Sequence, residues 1–179
     1  MRLTRLQRIV RLLLTPQKEF LQIWGEQPHH AWIYYIRLLL FCGIASYLFQ
    51  LFLGITAIPF FTPTPGIEIG GTLSPFLLTL TMGLLLALLS ITIAHPLTKL
   101  AGSTGSITRT TQALLYGFTP SLLLGWIPIL GTAMLLYSYL LQIIGLKELQ
   151  NTTTLQATLI IIVSRPLIDG LMILLWIGF

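Results

Sequence analysis

The sequence predicts an all-α polytopic membrane protein, a five-transmembrane-helix bundle with an N-terminal interfacial amphipathic helix. Three observations carry that prediction. Hydrophobic residues make up 55% of the 179 and charged residues only 8%, against about a quarter charged in a soluble domain. Mean hydropathy is +0.87, and long apolar runs recur along the chain. The stretch from Gln112 to Lys147 has no charge before its last residue. As one helix it would be about 50 Å long, too long for a hydrocarbon core of about 30 Å, so it should fold back on itself. Pro128, which lacks an N–H, Gly131, which permits a tight turn, and Trp126, suited to an interface, place the fold-back at residues 126–131.

The net charge of +5 comes mostly from the first eleven residues. It is local, without the basic face and interleaved aromatics that nucleic acid requires. Cys42 has no partner cysteine and sits in an apolar run, as a small buried hydrophobe.

Residues 1–31 form an amphipathic interfacial segment, and residues 32–179 the transmembrane domain. In MRLTRLQRIVRLLL, Leu3, Leu6, Ile9, Val10, Leu13 and Leu14 share one helical arc. Arg5, Arg8 and Arg11 fall opposite, with Arg2 near the boundary, so these arginines should contact anionic headgroups. Thr15-Pro16 reads as an N-cap and first helical residue. The helix that follows turns Phe20, Ile23, Trp24 and Leu21 toward the membrane, and residues 25–30 break it. His29-His30 has no third ligand near in sequence, so solvated histidines are expected rather than a metal site.

Spans are predicted at about 36–58, 73–95, 112–127, 129–146 and 155–178. Trp32, Tyr34 and Tyr35 read as an aromatic girdle before the first. Pro59 ends the first span and His95-Pro96 the second. Lys and Arg precede span one, lie between spans two and three, and follow span four, so the N-terminus should be cytoplasmic and the C-terminus outside.

The costly residues are Arg165 and Asp169, inside the last span and four apart on one face. A central Arg or Asp costs roughly 2.5–3.5 kcal/mol on insertion. An intramembrane ion pair facing the bundle interior is the expected compensation, and Arg165 could also serve the Ile162 carbonyl that Pro166 leaves free. A structural pair is the first reading; a polar site for a headgroup, an ion or a partner helix is the second. A last span broken at Arg165-Pro166 is the third. Nothing reads as catalytic: there is no G-x-S-x-G, H-E-x-x-H or P-loop, and Cys42 has no basic neighbour. No enzyme activity and no cofactor are expected.

The order of parts resembles the Yip family, five-span membrane proteins whose eukaryotic members interact with Rab/Ypt GTPases. The resemblance rests on LLLTPQKEFLQIW near the N-terminus, the polar linker AGSTGSITRTTQALLYGFTPSLL and the hairpin WIPILGTAMLLYSYLLQIIGLKEL. The family's small-polar linker and Tyr-x-x-x-Pro span are matched by Gly102, Gly105, Tyr116 and Pro120, and its Pro-x-x-Gly turn and tyrosine-bearing helix by Pro128, Gly131, Tyr137 and Tyr139. The Asp-Leu-Tyr-Gly-Pro signature of the eukaryotic branch is missing. The chain is similar to the short prokaryotic members, which implies a fold and a bacterial cytoplasmic (inner) membrane location rather than Rab binding. The expectation is a non-enzymatic organiser or adaptor, possible as a homo-oligomer, that binds lipid headgroups or a protein partner through its cytoplasmic face. The alternatives are a small transporter or channel using Arg165 and Asp169, and an accessory subunit of a membrane complex.

Overall fold

The computed structural model describes residues 5–53, 73–127 and 129–177, and every regular element among them is a helix. Two short N-terminal helices, α1 (Arg5–Leu14) and α2 (Pro16–Ile23), precede the long α3 (Pro28–Leu53) and α4 (Ser74–Leu100). Then come α5 (Ile107–Gly117), α6 (Thr119–Leu124), α7 (Leu130–Gln150) and α8 (Thr154–Ile177). Among the described residues, α3, α4, α7 and α8 contain candidate membrane spans, four against the five predicted.

The difference lies at residues 112–127. No single span forms there: α5 begins at Ile107, and the helix breaks at Phe118. Pro120 cannot donate to the Tyr116 carbonyl four residues back. The Thr119 hydroxyl donates to that carbonyl instead, at 2.5 Å, and Ser121 Oγ donates to the Phe118 carbonyl at 2.9 Å. Residues 110–117 are all buried, polar Thr110, Thr111 and Gln112 included, so protein rather than lipid surrounds α5.

Other boundaries shift for related reasons. α3 starts at Pro28, not near residue 36, and takes His29 and His30, both exposed, into its first turns. The expected girdle is partly inside: Tyr35 is fully buried and donates to the Gly83 carbonyl at 2.6 Å. α4 runs through Pro96 and α8 through Pro166 without a break. α7 continues past residue 146 to Gln150. Pro59 and the other residues of 54–72 lie outside the described residues, as does Pro128.

The helices form a ring in the order α3, α4, α8, α7 and the α5–α6 pair, which returns to α3; α4 also touches α5 across the middle. The most extensive contact is α5 against α7, running antiparallel. Glycines hold it close. A Cβ on Gly117 would lie 3.1 Å from the Cα of Gln142, and one on Gly145 would lie 3.1 Å from the Cα of Ala113 and 2.9 Å from the Phe20 ring. Gly105 abuts the Cα of Gln150 and Gly131 the backbone of Gly125 in the same way. Small residues let apolar helices gain contact area where no hydrophobic force separates protein from lipid.

The polar linker after α4 is compact. Ser103 N–H bonds the Thr98 carbonyl and Gly102 N–H the Lys99 carbonyl, each at 3.0 Å, while Gly102 has φ +83°. This left-handed helix stop favours glycine. A Cβ on Gly102 would meet nothing within 4 Å. Gly102→Ala should therefore cost about 1 kcal/mol through conformation alone, a thermal shift measurable in detergent. Loss of less than a third of that would remove the assigned role.

Candidate functional site

Two polar centres stand out from the apolar bundle. The first joins α1 and α2 to α5. Arg8 makes a two-pronged ion pair with Glu26, Nη1 to Oε2 at 3.2 Å and Nη2 to Oε1. Its Nε lies 3.3 Å from Glu19 Oε1. Tyr116 donates its hydroxyl to Glu26 Oε2 at 3.0 Å, and Gln112 Nε2 donates to the Glu26 carbonyl at 2.7 Å. Tyr34 exchanges a hydrogen bond of 3.0 Å with Thr119, and its ring lies tilted against that of Tyr116 with the centroids 4.8 Å apart. Glu19 is 1% exposed. Although Arg8 is within ion-pair distance of it, the N–H is not aligned, and neither Glu19 oxygen has a hydrogen-bond partner. Burial by itself lowers the Arg8 pKa. The hydrogen bond to Glu26, with the oxygens of Tyr116, Glu26 and Glu19, outweighs it and holds the guanidinium above its ordinary value.

This centre redirects the reading of the N-terminal segment. Arg8 was expected on a lipid surface, but it faces protein, one helical turn from the fully buried Leu12. Phe20 and Ile23, expected toward the membrane, are likewise fully buried. The outward residues are Val10 at 51% exposure, Leu14 at 76%, Leu21 at 57% and Trp24 at 53%. Trp24 also carries the Arg109 guanidinium 4.7 Å above its ring. Arg11 is exposed; Arg2 and the Arg5 side chain lie outside the described residues. The two helices flank the bundle instead of capping its end. Phe20 packs on Gly145, and Tyr137 donates to the Leu13 carbonyl. Tyr137 is about 20 Å along α7 from Gln150.

The second centre is Arg165. It is 6% exposed and donates Nη2 to Gln142 Oε1 at 2.7 Å. Its guanidinium carbon lies 4.7 Å from the Tyr139 ring centroid and 5.0 Å from that of Phe118. The expected ion pair is absent: among the described residues no carboxylate is within 4 Å of Arg165, and Asp169 is exposed. Nor does Arg165 serve the Ile162 carbonyl, because its donor goes across the bundle to α7. An arginine side chain is long enough to reach the next helix, and there it finds an acceptor and two aromatic faces.

The family-motif residues gather on the α5–α7 contact and its ends. Gly102 stops α4, Gly105 lies against Gln150, Pro120 breaks the buried helix and Gly131 closes on Gly125. Tyr116 belongs to the Arg8 centre, Tyr137 holds α1, and Tyr139 faces Arg165. Sequence reasoning missed Glu19, Glu26, Gln112 and Gln142. The available signal was that a glutamine within an apolar run needs a partner.

A helical bundle with four apolar helices long enough to cross a bilayer, tied by buried polar residues, defines an integral membrane protein. The chain matches the family model of the Yip1 domain over residues 10–177, and it belongs to that family. No curated protein and no solved structure matches it.

Proposed function

We propose that the protein is a non-enzymatic membrane organiser whose α1–α2 hairpin wedges into the cytoplasmic leaflet. One observation carries this reading. The hairpin turns Arg8 inward, onto Glu19, Glu26 and Tyr116, and leaves Val10, Leu14, Leu21 and Trp24 outward beside the exposed Arg11 and Lys18. Exposed to water at these fractions, four such side chains would forgo about 4 kcal/mol. A lipid environment removes that cost, and a wedge beside the bundle on one leaflet stresses the bilayer. The α5–α6 pair accompanies α7 along its length, which supports a fifth crossing by a broken helix. With that crossing, the basic segments are cytoplasmic and the C-terminus outside, in a bacterial cytoplasmic membrane. Lipid is then the first partner, and any protein partner meets the cytoplasmic ends of the helices.

The test is curvature sorting in reconstituted vesicles. Wild type should be enriched in small, strongly curved vesicles over large ones. The variant Val10→Ser/Leu14→Ser/Leu21→Ser/Trp24→Ser should distribute evenly while remaining folded. An even distribution of wild type would overturn the wedge.

A further inference from the structure

Arg165 is the group whose charge ordinary packing leaves unbalanced. It is 6% exposed with no carboxylate in ion-pair range among the described residues. The rings of Phe118 and Tyr139 moderate a buried cation but do not neutralise it. Its bond to Gln142 also settles how that amide is turned. Arginine can only donate, so Oε1 is the atom that accepts from the guanidinium and Nε2 remains the amide's donor. Gln142 is fully buried, and its Nε2 has no hydrogen-bond partner. A buried cation whose one carboxylate neighbour, Asp169, stands beyond ion-pair range thus adjoins an orphaned donor, and an oxyanion would satisfy both.

We propose that Arg165 and Gln142 form an anion site for a phosphate-type oxyanion, the phosphodiester of an anionic lipid or free phosphate. Arg165 stands at the edge of the buried face of α8, beside exposed Ile162, Pro166 and Asp169, and the anion approaches from that edge. Asp169, one turn further and also exposed, opposes a second negative charge and so favours a singly charged phosphodiester. The site is independent of the hairpin's lipid contact, since none of its residues belongs to α1 or α2.

Two arms distinguish the sources. In one, protein is extracted from nanodiscs of phosphatidylcholine with phosphatidylglycerol, and retained lipid is counted by native mass spectrometry. In the other, inorganic phosphate is added to delipidated protein in neutral detergent and thermal stability is followed. Wild type should retain phosphatidylglycerol in preference to phosphatidylcholine, or be stabilised by phosphate, the arm that responds naming the source. Arg165→Gln should weaken either response about tenfold or more. Gln142→Glu supplies an internal counter-anion, so it should abolish the response while raising stability in lipid-free detergent. The hairpin variant above should bind as wild type does. If neither arm responds, or if folded Arg165→Gln or Gln142→Glu binds like wild type, the site is refuted.

Discussion

Arg8→Met should destabilise the protein by about 3 kcal/mol, near the low end of the range for breaking a buried ion pair. The low end applies because the Arg8 and Glu26 side chains are 26% and 24% exposed, so water screens part of the interaction. Most of the loss should come from Glu19, which is 1% exposed and would be left with no cation nearby. That origin is separable. Adding Glu19→Gln to Arg8→Met should recover part of the lost stability, whereas strictly additive losses in thermal unfolding would place the energy elsewhere. The same variant should free α1 from Tyr116 and α6. Proteolysis at the N-terminus would then rise in folded protein, a response that a simple drop in global stability would not confine to that segment.

The second large effect is expected at the glycine seam. Gly117→Leu should cost about 3 kcal/mol or more, because its Cβ would run into the side chain of the fully buried Gln142 and lie 3.1 Å from the α7 backbone behind it. Gly145→Leu should act similarly from the other helix, where the Cα of Ala113 is 3.1 Å off. Gly170 is the control. A Cβ there meets nothing within 4 Å, so Gly170→Ala should be neutral or stabilise α8 by about 1 kcal/mol. Folded yield by size-exclusion chromatography separates the three. Equal behaviour of Gly117→Leu and Gly170→Ala would remove the seam from the account of the fold.

These residues also mark where sequence reading ends. The fold-back between α6 and α7 was legible, because Pro128 and Gly131 fall where an apolar run is too long for one crossing. So was the short helix opened by Thr15-Pro16, although Thr15 gives no side-chain cap and its hydroxyl bonds the Arg11 carbonyl at 3.3 Å instead. The glycine seam was not legible. Its members sit at spacings unlike G-x-x-x-G, since the break at Phe118 resets the helical phase between Gly117 and Gly125. The Arg165–Asp169 pair was plausible from spacing alone, yet Gln142 lies on another helix and no local rule announces it.

By itself the sequence determined the solvent and the element type. Composition and the length of apolar runs are sums over residues, and the demand that every backbone group be satisfied in lipid leaves helices as the answer. It also determined that the arginine-rich start forms a helix. Only the tertiary structure decided which face meets protein. The free energy of a buried arginine depends on the acceptors that other segments bring to it, here Glu19 and Glu26 for Arg8, and Gln142 for Arg165. Those partners are set by packing, and packing here follows the close approach of α5 to α7.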